Sequence, residues 1–156
     1  MKKIAFIIFK EDCCGCHTCE VACKQEHGFG VGPRLIRVIE KSPNFIPLYC
    51  HHCADAPCKK ACPAGAIYRN EQGIVLIKEE SCIGCKECVE ACPFGAMQFD
   101  DTKDIVVKCD LCFDRLRNGT VPACVTVCPT QCIFFGDTKS MLDQKAEIAA
   151  GRQKAL

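Results

Sequence analysis

The sequence predicts an α+β fold of short strands and one-turn helices, and three observations carry that prediction. Eighteen of the 156 residues are cysteine, above a tenth of the chain. The apolar fraction of 49% counts those cysteines; without them it falls to about 37%, low for a self-sufficient aliphatic core. The apolar runs are short and repeat: ACPAGAI (61–67), ACPFGAM (91–97) and VCPTQCI (127–133) each pass from a helical turn into an apolar stretch. At this length the chain forms one domain, or two small modules that share a core. Something other than aliphatic packing fills the interior.

The cysteines fall into four boxes of four. Cys13, Cys16, Cys19 and Cys23 read C-x2-C-x2-C-x3-C. Cys50, Cys53, Cys58 and Cys62 read C-x2-C-x4-C-x3-C and are followed by Pro63. Cys82, Cys85, Cys88 and Cys92 repeat the first spacing and end on Pro93. Cys109, Cys112, Cys124 and Cys128 read C-x2-C-x11-C-x3-C and end on Pro129. Sixteen cysteines are placed, and Cys14 and Cys132 are spare. Choosing Cys14 in place of Cys13 would break the shared spacing.

Dense cysteine marks either a secreted disulfide scaffold or a metal protein. The start, MKKIAFIIFKED, has six apolar residues before Lys10, short for a signal-peptide core. No twin-arginine pair stands near it, and no apolar run approaches ~18 residues, so no membrane span is expected. A reducing compartment, the cytoplasm, is the expectation, and there thiols bind metal. Structural zinc takes two separated C-x2-C knuckles, whereas three cysteines within seven residues suit a cubane better. A tight C-x2-C-x2-C loop wraps three iron corners, and the fourth cysteine, one helical turn on, faces away. In two-cluster ferredoxins that residue ligates the neighbouring cluster, and Cys-Pro belongs to the signature. Four [4Fe-4S] clusters are therefore expected. Gly15 and Gly84 precede second cysteines and permit the backbone turn that brings N–H groups near sulfur. His52 and Leu111 hold those positions in the other boxes, so that help is expected to be uneven.

The remaining elements follow in order. Residues 4–9 and 35–39 are strand candidates. Residues 67–68 and 74–77 flank NEQG as a hairpin, and 97–99 with 105–107 flank DDTK in the same way. GFGVGP (28–33) precedes a proline and a strand, so it reads as a plain loop and not a nucleotide fingerprint. The tail, 138–156, forms a helix from about Ser140, with Ser140 and Asp143 as a capping pair. His17, His27, His51 and His52 read as ordinary residues, since sixteen thiolates satisfy four cubanes. Lys108, Arg115 and Arg117 read as solvated charge around the fourth box. No nucleophile–base pair, catalytic residue or nucleic-acid signature appears.

Four boxes in this order, with the second widened to YCHHCADAPC and the fourth written KCDLCFDRLRNGTVPACVTVCPT, resemble the four-cluster ferredoxin-like subunit of molybdenum and tungsten oxidoreductases. The resemblance spans residues 4 to about 137. Its relatives serve dimethyl sulfoxide reductase-type enzymes, formate dehydrogenases, hydrogenase and carbon monoxide dehydrogenase systems, and aldehyde oxidoreductase-type enzymes including class II benzoyl-CoA reductases. It implies two pseudo-symmetric bacterial-ferredoxin-like modules within 1–137: an inner one of about 46–100, and an outer one of about 1–45 plus 101–137. From the one-turn offset of each fourth cysteine, ligation is expected to be crosswise. Cys13, Cys16 and Cys19 then share a cluster with Cys128, and Cys109, Cys112 and Cys124 share one with Cys23. Cys50, Cys53 and Cys58 join Cys92, and Cys82, Cys85 and Cys88 join Cys62.

With every iron corner filled, the reading is a non-catalytic subunit that relays electrons to or from a molybdenum- or tungsten-pterin subunit. A flavin subunit or ferredoxin is the expected second redox partner. A free polyferredoxin carrier and a zinc-stabilised interaction module are the alternatives. The formal charge of +1 excludes little, because sixteen thiolates around four oxidised cubanes bring the loaded protein to about −7.

Overall fold

The computed structural model describes residues 4–153, with strands that run no longer than five residues. In chain order these are β1 (Ala5–Ile8), α1 (Thr18–Glu26), β2 (Arg37–Lys41), β3 (Asn44–Leu48) and α2 (Pro57–Lys60). Next come β4 (Ile67–Arg69), β5 (Val75–Ile77), α3 (Glu87–Glu90), β6 (Gln98–Asp100) and β7 (Ile105–Val107). The fold closes with α4 (Phe113–Arg117), α5 (Ala123–Val127), β8 (Ile133–Gly136) and α6 (Thr138–Gln153). This is the α+β mixture of short strands and helices that the sequence implies.

Each strand has one partner, always antiparallel: β1 with β8, β2 with β3, β4 with β5, and β6 with β7. The β4–β5 turn is closed by Asn70, whose Oδ1 accepts the Ile74 N–H at 2.8 Å. In the β6–β7 turn, Asp100 Oδ1 accepts both the N–H and the hydroxyl of Thr102. Side-chain oxygens of Asn and Asp favour such turns because they replace a backbone acceptor locally. Two-stranded ribbons this short are marginal in water and must pack on something. Ile74, Val75 and Val106 are accordingly buried almost completely.

Two pairings went beyond the sequence. β3 contains Pro47, which has no N–H to donate and argues against a strand; it pairs with Val38 on the two-stranded β2–β3 ribbon, where one side of each strand needs no partner. β2 itself sits two residues later than the 35–39 candidate, since Leu35 and Ile36 are buried in the core cluster ahead of it. β8 reaches back to β1, with Ile8 opposite Ile133 and Phe6 opposite Phe135. α6 packs against β8 through Met141, which is fully buried. Lys145 of α6 pairs with Asp12 and lies over the Phe9 ring.

The interior is built of sulfur as well as hydrocarbon. One core cluster joins Ile8, Leu35, Ile36 and Val38 to Cys19, Cys23, Cys124 and Cys132; a second joins Ile67, Val75 and Met97 to Cys88. No described helix is long and apolar enough to cross a membrane.

Candidate metal centres

Four helices each begin a pair of cysteines four residues apart, and in three of them the second cysteine lies just past the helix end. α1 bears Cys19 and Cys23; α2 bears Cys58, with Cys62 just past its end. α3 bears Cys88, followed by Cys92, and α5 bears Cys124, followed by Cys128. Residues four apart lie on one helix face at successive turns, so the two thiols look toward different neighbouring spaces. α1 packs on α5, and α2 packs on α3.

Those spaces are four cavities. One is lined by Cys13, Cys16, Cys19 and Cys128, together with Cys14 and Cys132. A second is lined by Cys23, Cys109, Cys112 and Cys124. Cys50, Cys53, Cys58 and Cys92 line a third, and Cys62, Cys82, Cys85 and Cys88 a fourth. Counting their open mouths, three have a volume of about 340 Å³ and the fourth about 320 Å³. A larger groove of about 720 Å³, between Tyr68, Lys108 and Asp114, contains no cysteine.

The backbone before each second cysteine is the same in all four boxes, against the expectation of uneven help. Gly15 and Gly84 have φ of +70° and +68°, and His52 and Leu111 follow with +45° and +61°. The difference lies in what a side chain would meet. A Cβ on Gly84 would stand 2.5 Å from the Asp104 carbonyl oxygen, and one on Gly15 would run into the Phe45 ring. At His52 and Leu111 there is room, and the left-handed strain is held by burial. Backbone N–H groups approach sulfur at His52 to Cys50 and at Val106 to Cys82, both at 3.5 Å.

The thiols fit a cationic centre. Burial pushes Cys19 and Cys23 up to about 12, and Cys88 to about 11. It drives Cys109 and Cys124 well above the ordinary thiol range, with neighbouring thiolates adding to the effect. Such groups become thiolates at neutral pH only against positive charge, and iron supplies it. Tetrahedral zinc is a worse match: Zn–S bonds of about 2.3 Å would hold sulfurs about 3.8 Å apart. Among the described residues, no three cysteine sulfurs lie within 4.8 Å of one another; only His27, Asp110 and Cys112 form so close a group.

Charged neighbours differ from the sequence reading in one respect. Lys108 is not solvated: it is 5% exposed, and its Nζ donates to the Cys109 carbonyl at 2.7 Å. Its run KCDLC gave no sign of this, because burial depends on the β7 strand beside it. Arg115 pairs with Glu26, and Arg117 stays exposed. Glu20, also buried, accepts from the Val38 N–H at 2.5 Å and from Arg34 at 3.1 Å. Burial alone would raise this carboxyl, but the bonds from Val38, His17 and Arg34 outweigh it and hold the group below its usual range. Among the histidines, His27 Nε2 sits 3.8 Å from Cys112 Sγ, and His51 stacks between Tyr49 and Phe94. His52 is buried, which pushes it down to about 2, with Lys108 and Arg69 adding to the shift.

Short helices passing cysteines between equal cavities define an iron–sulfur protein of the ferredoxin type. Residues 42–138 match the model of the 4Fe-4S dicluster domain. The protein is 36% identical over 152 residues to the B subunit of the anaerobic dimethyl sulfoxide reductase of Haemophilus influenzae, covering 86% of its own length and 74% of that subunit. To the thiosulfate reductase electron transfer subunit of Salmonella typhi it is 43% identical over 135 residues, 80% of its own length and 70% of that one. The polysulfide reductase B subunit of Wolinella succinogenes is 37% identical over 158 residues, covering 94% and 81%. The chain belongs to this family of 4Fe-4S iron–sulfur subunits, and it is an electron-transfer subunit with four [4Fe-4S] clusters, not the catalytic one.

Proposed function

We propose that the protein relays electrons along a line of four clusters, to or from a catalytic molybdenum- or tungsten-pterin subunit. The observation that carries this reading is the gathering of sixteen cysteines into four cavities that share helices. The ligand sets are crosswise. Cys13, Cys16, Cys19 and Cys128 hold one cluster, and Cys23, Cys109, Cys112 and Cys124 the next. Cys50, Cys53, Cys58 and Cys92 hold the third, and Cys62, Cys82, Cys85 and Cys88 the fourth. Cys14 and Cys132 stay free in this assignment, although both line the first cavity. The sets divide residues 1–137 into an inner module of about 46–100 and an outer one of the flanking segments, packed as pseudo-symmetric halves.

When bound, each cluster takes up and releases one electron. The protein's part is to space these sites, exclude water and tune them. α1 and α5 join the first two cavities, and α2 and α3 join the last two. Tyr49, which lines the second cavity, stacks at 4.5 Å on His51, which lines the third, and this supports a junction between the two. Of the sixteen, the exposed cysteines are Cys16 and Cys85, one in each terminal cavity. Electrons therefore enter and leave at opposite ends: one faces the pterin subunit, and the other a flavin subunit or ferredoxin. Named relatives are subunits of dimethyl sulfoxide, thiosulfate and polysulfide reductases, which favours a reductase partner. Thiols bind metal where the compartment is reducing, so the complex is assigned to the cytoplasm.

Native purification under anaerobic conditions tests the reading. A large subunit carrying molybdenum or tungsten should co-purify in a fixed ratio. Isolation of the protein alone, reduced by several unrelated enzymes, would make it a free polyferredoxin instead.

A further inference from the structure

Among the described residues, one buried side-chain nitrogen or oxygen has no hydrogen-bond partner: Nε2 of His52. The residue is 8% exposed. Its other ring nitrogen, Nδ1, accepts the Val75 N–H at 3.1 Å. A neutral imidazole carries a single proton, so an accepting Nδ1 places that proton on Nε2. His52 is therefore a buried donor with no acceptor in the protein. Native interiors leave few such groups without a reason.

The reason lies in the cavity. His52 lines it with Cys50, Cys53, Cys58 and Cys92. At the matching position the other boxes have Gly15, Gly84 and Leu111, none of which has a polar side chain. All four share the left-handed backbone, so the imidazole is an addition to a common frame and not a substitute for it.

We propose that His52 donates an Nε2–H hydrogen bond to a sulfur of the cluster in this cavity and thereby raises its reduction potential. Reduction adds negative charge to the cluster sulfurs, so a donor fixed beside them favours the reduced form. The inference rests on the ligand assignment given above. It sets the third cluster apart from its neighbour, whose box has Gly84 at the same point.

Two variants of the full, cluster-loaded protein test this by redox titration followed by electron paramagnetic resonance. His52→Gln keeps both an acceptor for Val75 and an N–H donor; His52→Met keeps volume and neither bond. In His52→Met, one cluster of the four should lose at least tenfold in its reduction equilibrium, which is about 59 mV for one electron. His52→Gln should restore most of that loss, and the other three clusters should not move. Equal shifts in both variants, or no shift in His52→Met, would show that the ring only packs. If His52→Met fails to load its iron, pulsed resonance on protein whose histidines carry 15N only in the imidazole ring decides, because the His52 backbone N–H also lies near the Cys50 sulfur. A coupled histidine nitrogen should be present in the native protein and lost in His52→Gln; its absence from the native protein overturns the proposal. Cys92→Ser separates the two claims. If it perturbs a different cluster from the one that His52→Met shifts, the ligand assignment fails while the hydrogen bond stands.

Discussion

Around the cavities lined by Cys50 and Cys82, β4–β5 and β6–β7 are local hairpins and the helices are four residues long. Around those lined by Cys13 and Cys109, the fold must bring residues 5–8 to residues 133–136, and α1 extends to nine residues. Contacts near in sequence form at small entropic cost, whereas joining segments so far apart costs more. Yet both halves place a left-handed residue before the second cysteine, and a helical turn between the third and the fourth. The sulfur frame is common to both, and the scaffold that holds it is not. What the two scaffolds share is the metal, and the largest effects should come from removing it.

Iron removal is therefore the first way to break the comparison. Without clusters, the outer half loses what holds its distant segments together, and the inner half loses the packing under three-residue strands. Chelation under oxidising conditions should abolish the circular dichroism of both halves in one transition, because metal-ligand energy becomes folding energy. An iron-free protein that keeps native-like, cooperative unfolding in either half would contradict this. Crosswise ligation is the second target. Cys62→Ser and Cys85→Ser should each lose about four irons of sixteen and perturb the same resonance signal. Cys58→Ser and Cys92→Ser should perturb the other inner one; a signal shared by Cys58 and Cys62 variants would mean that each box closes its own cluster.

Smaller effects sharpen the contrast between boxes. Gly84→Ala puts a Cβ against the Asp104 carbonyl and holds alanine in a left-handed conformation. A loss of about 3 kcal/mol is expected by anaerobic denaturant titration, and an unchanged midpoint would mean that the loop yields freely. In the outer half, Glu20→Ala leaves the Val38 N–H and Arg34 without their acceptor. That should cost about 2 kcal/mol in the same titration, with a full iron count. Cys14→Ser and Cys132→Ser should do least, each retaining about sixteen irons. Cys132 is the sterner case, since its sulfur lies 3.6 Å from that of Cys128. Loss of four irons there would make it the ligand.

Much of this was legible because cysteine spacing is local. The grouping into four boxes, the helical turn inside each C-x3-C, and the hairpins around Asn70 and Asp100 all follow from residues within a few positions of one another. β3 was hidden by Pro43 and Pro47, which remove donors that a two-stranded ribbon does not use. The β1–β8 pairing was hidden by distance along the sequence, as nothing in residues 5–8 names a partner. Lys108 was misread because charge in a sequence suggests solvent, and only tertiary packing removes it. Leu111 shows the same limit from the other side. A bulky residue in a left-handed turn looks unsuitable until its burial against Ile74 and Leu76 is seen.

The helical turns that separate each third cysteine from its fourth behave like a reading frame. Each residue advances a helix by about 100°, so one inserted or deleted residue between Cys58 and Cys62 would swing the second thiol away from its cavity. The three intervening residues, Lys59, Lys60 and Ala61, face outward or half-outward. Their identities are open to change, and their number is not. Lineages of this protein should therefore vary freely in spelling between those cysteines while keeping the count, and length changes should collect where the frame is not read, as in the loop from Gly28 to Pro33.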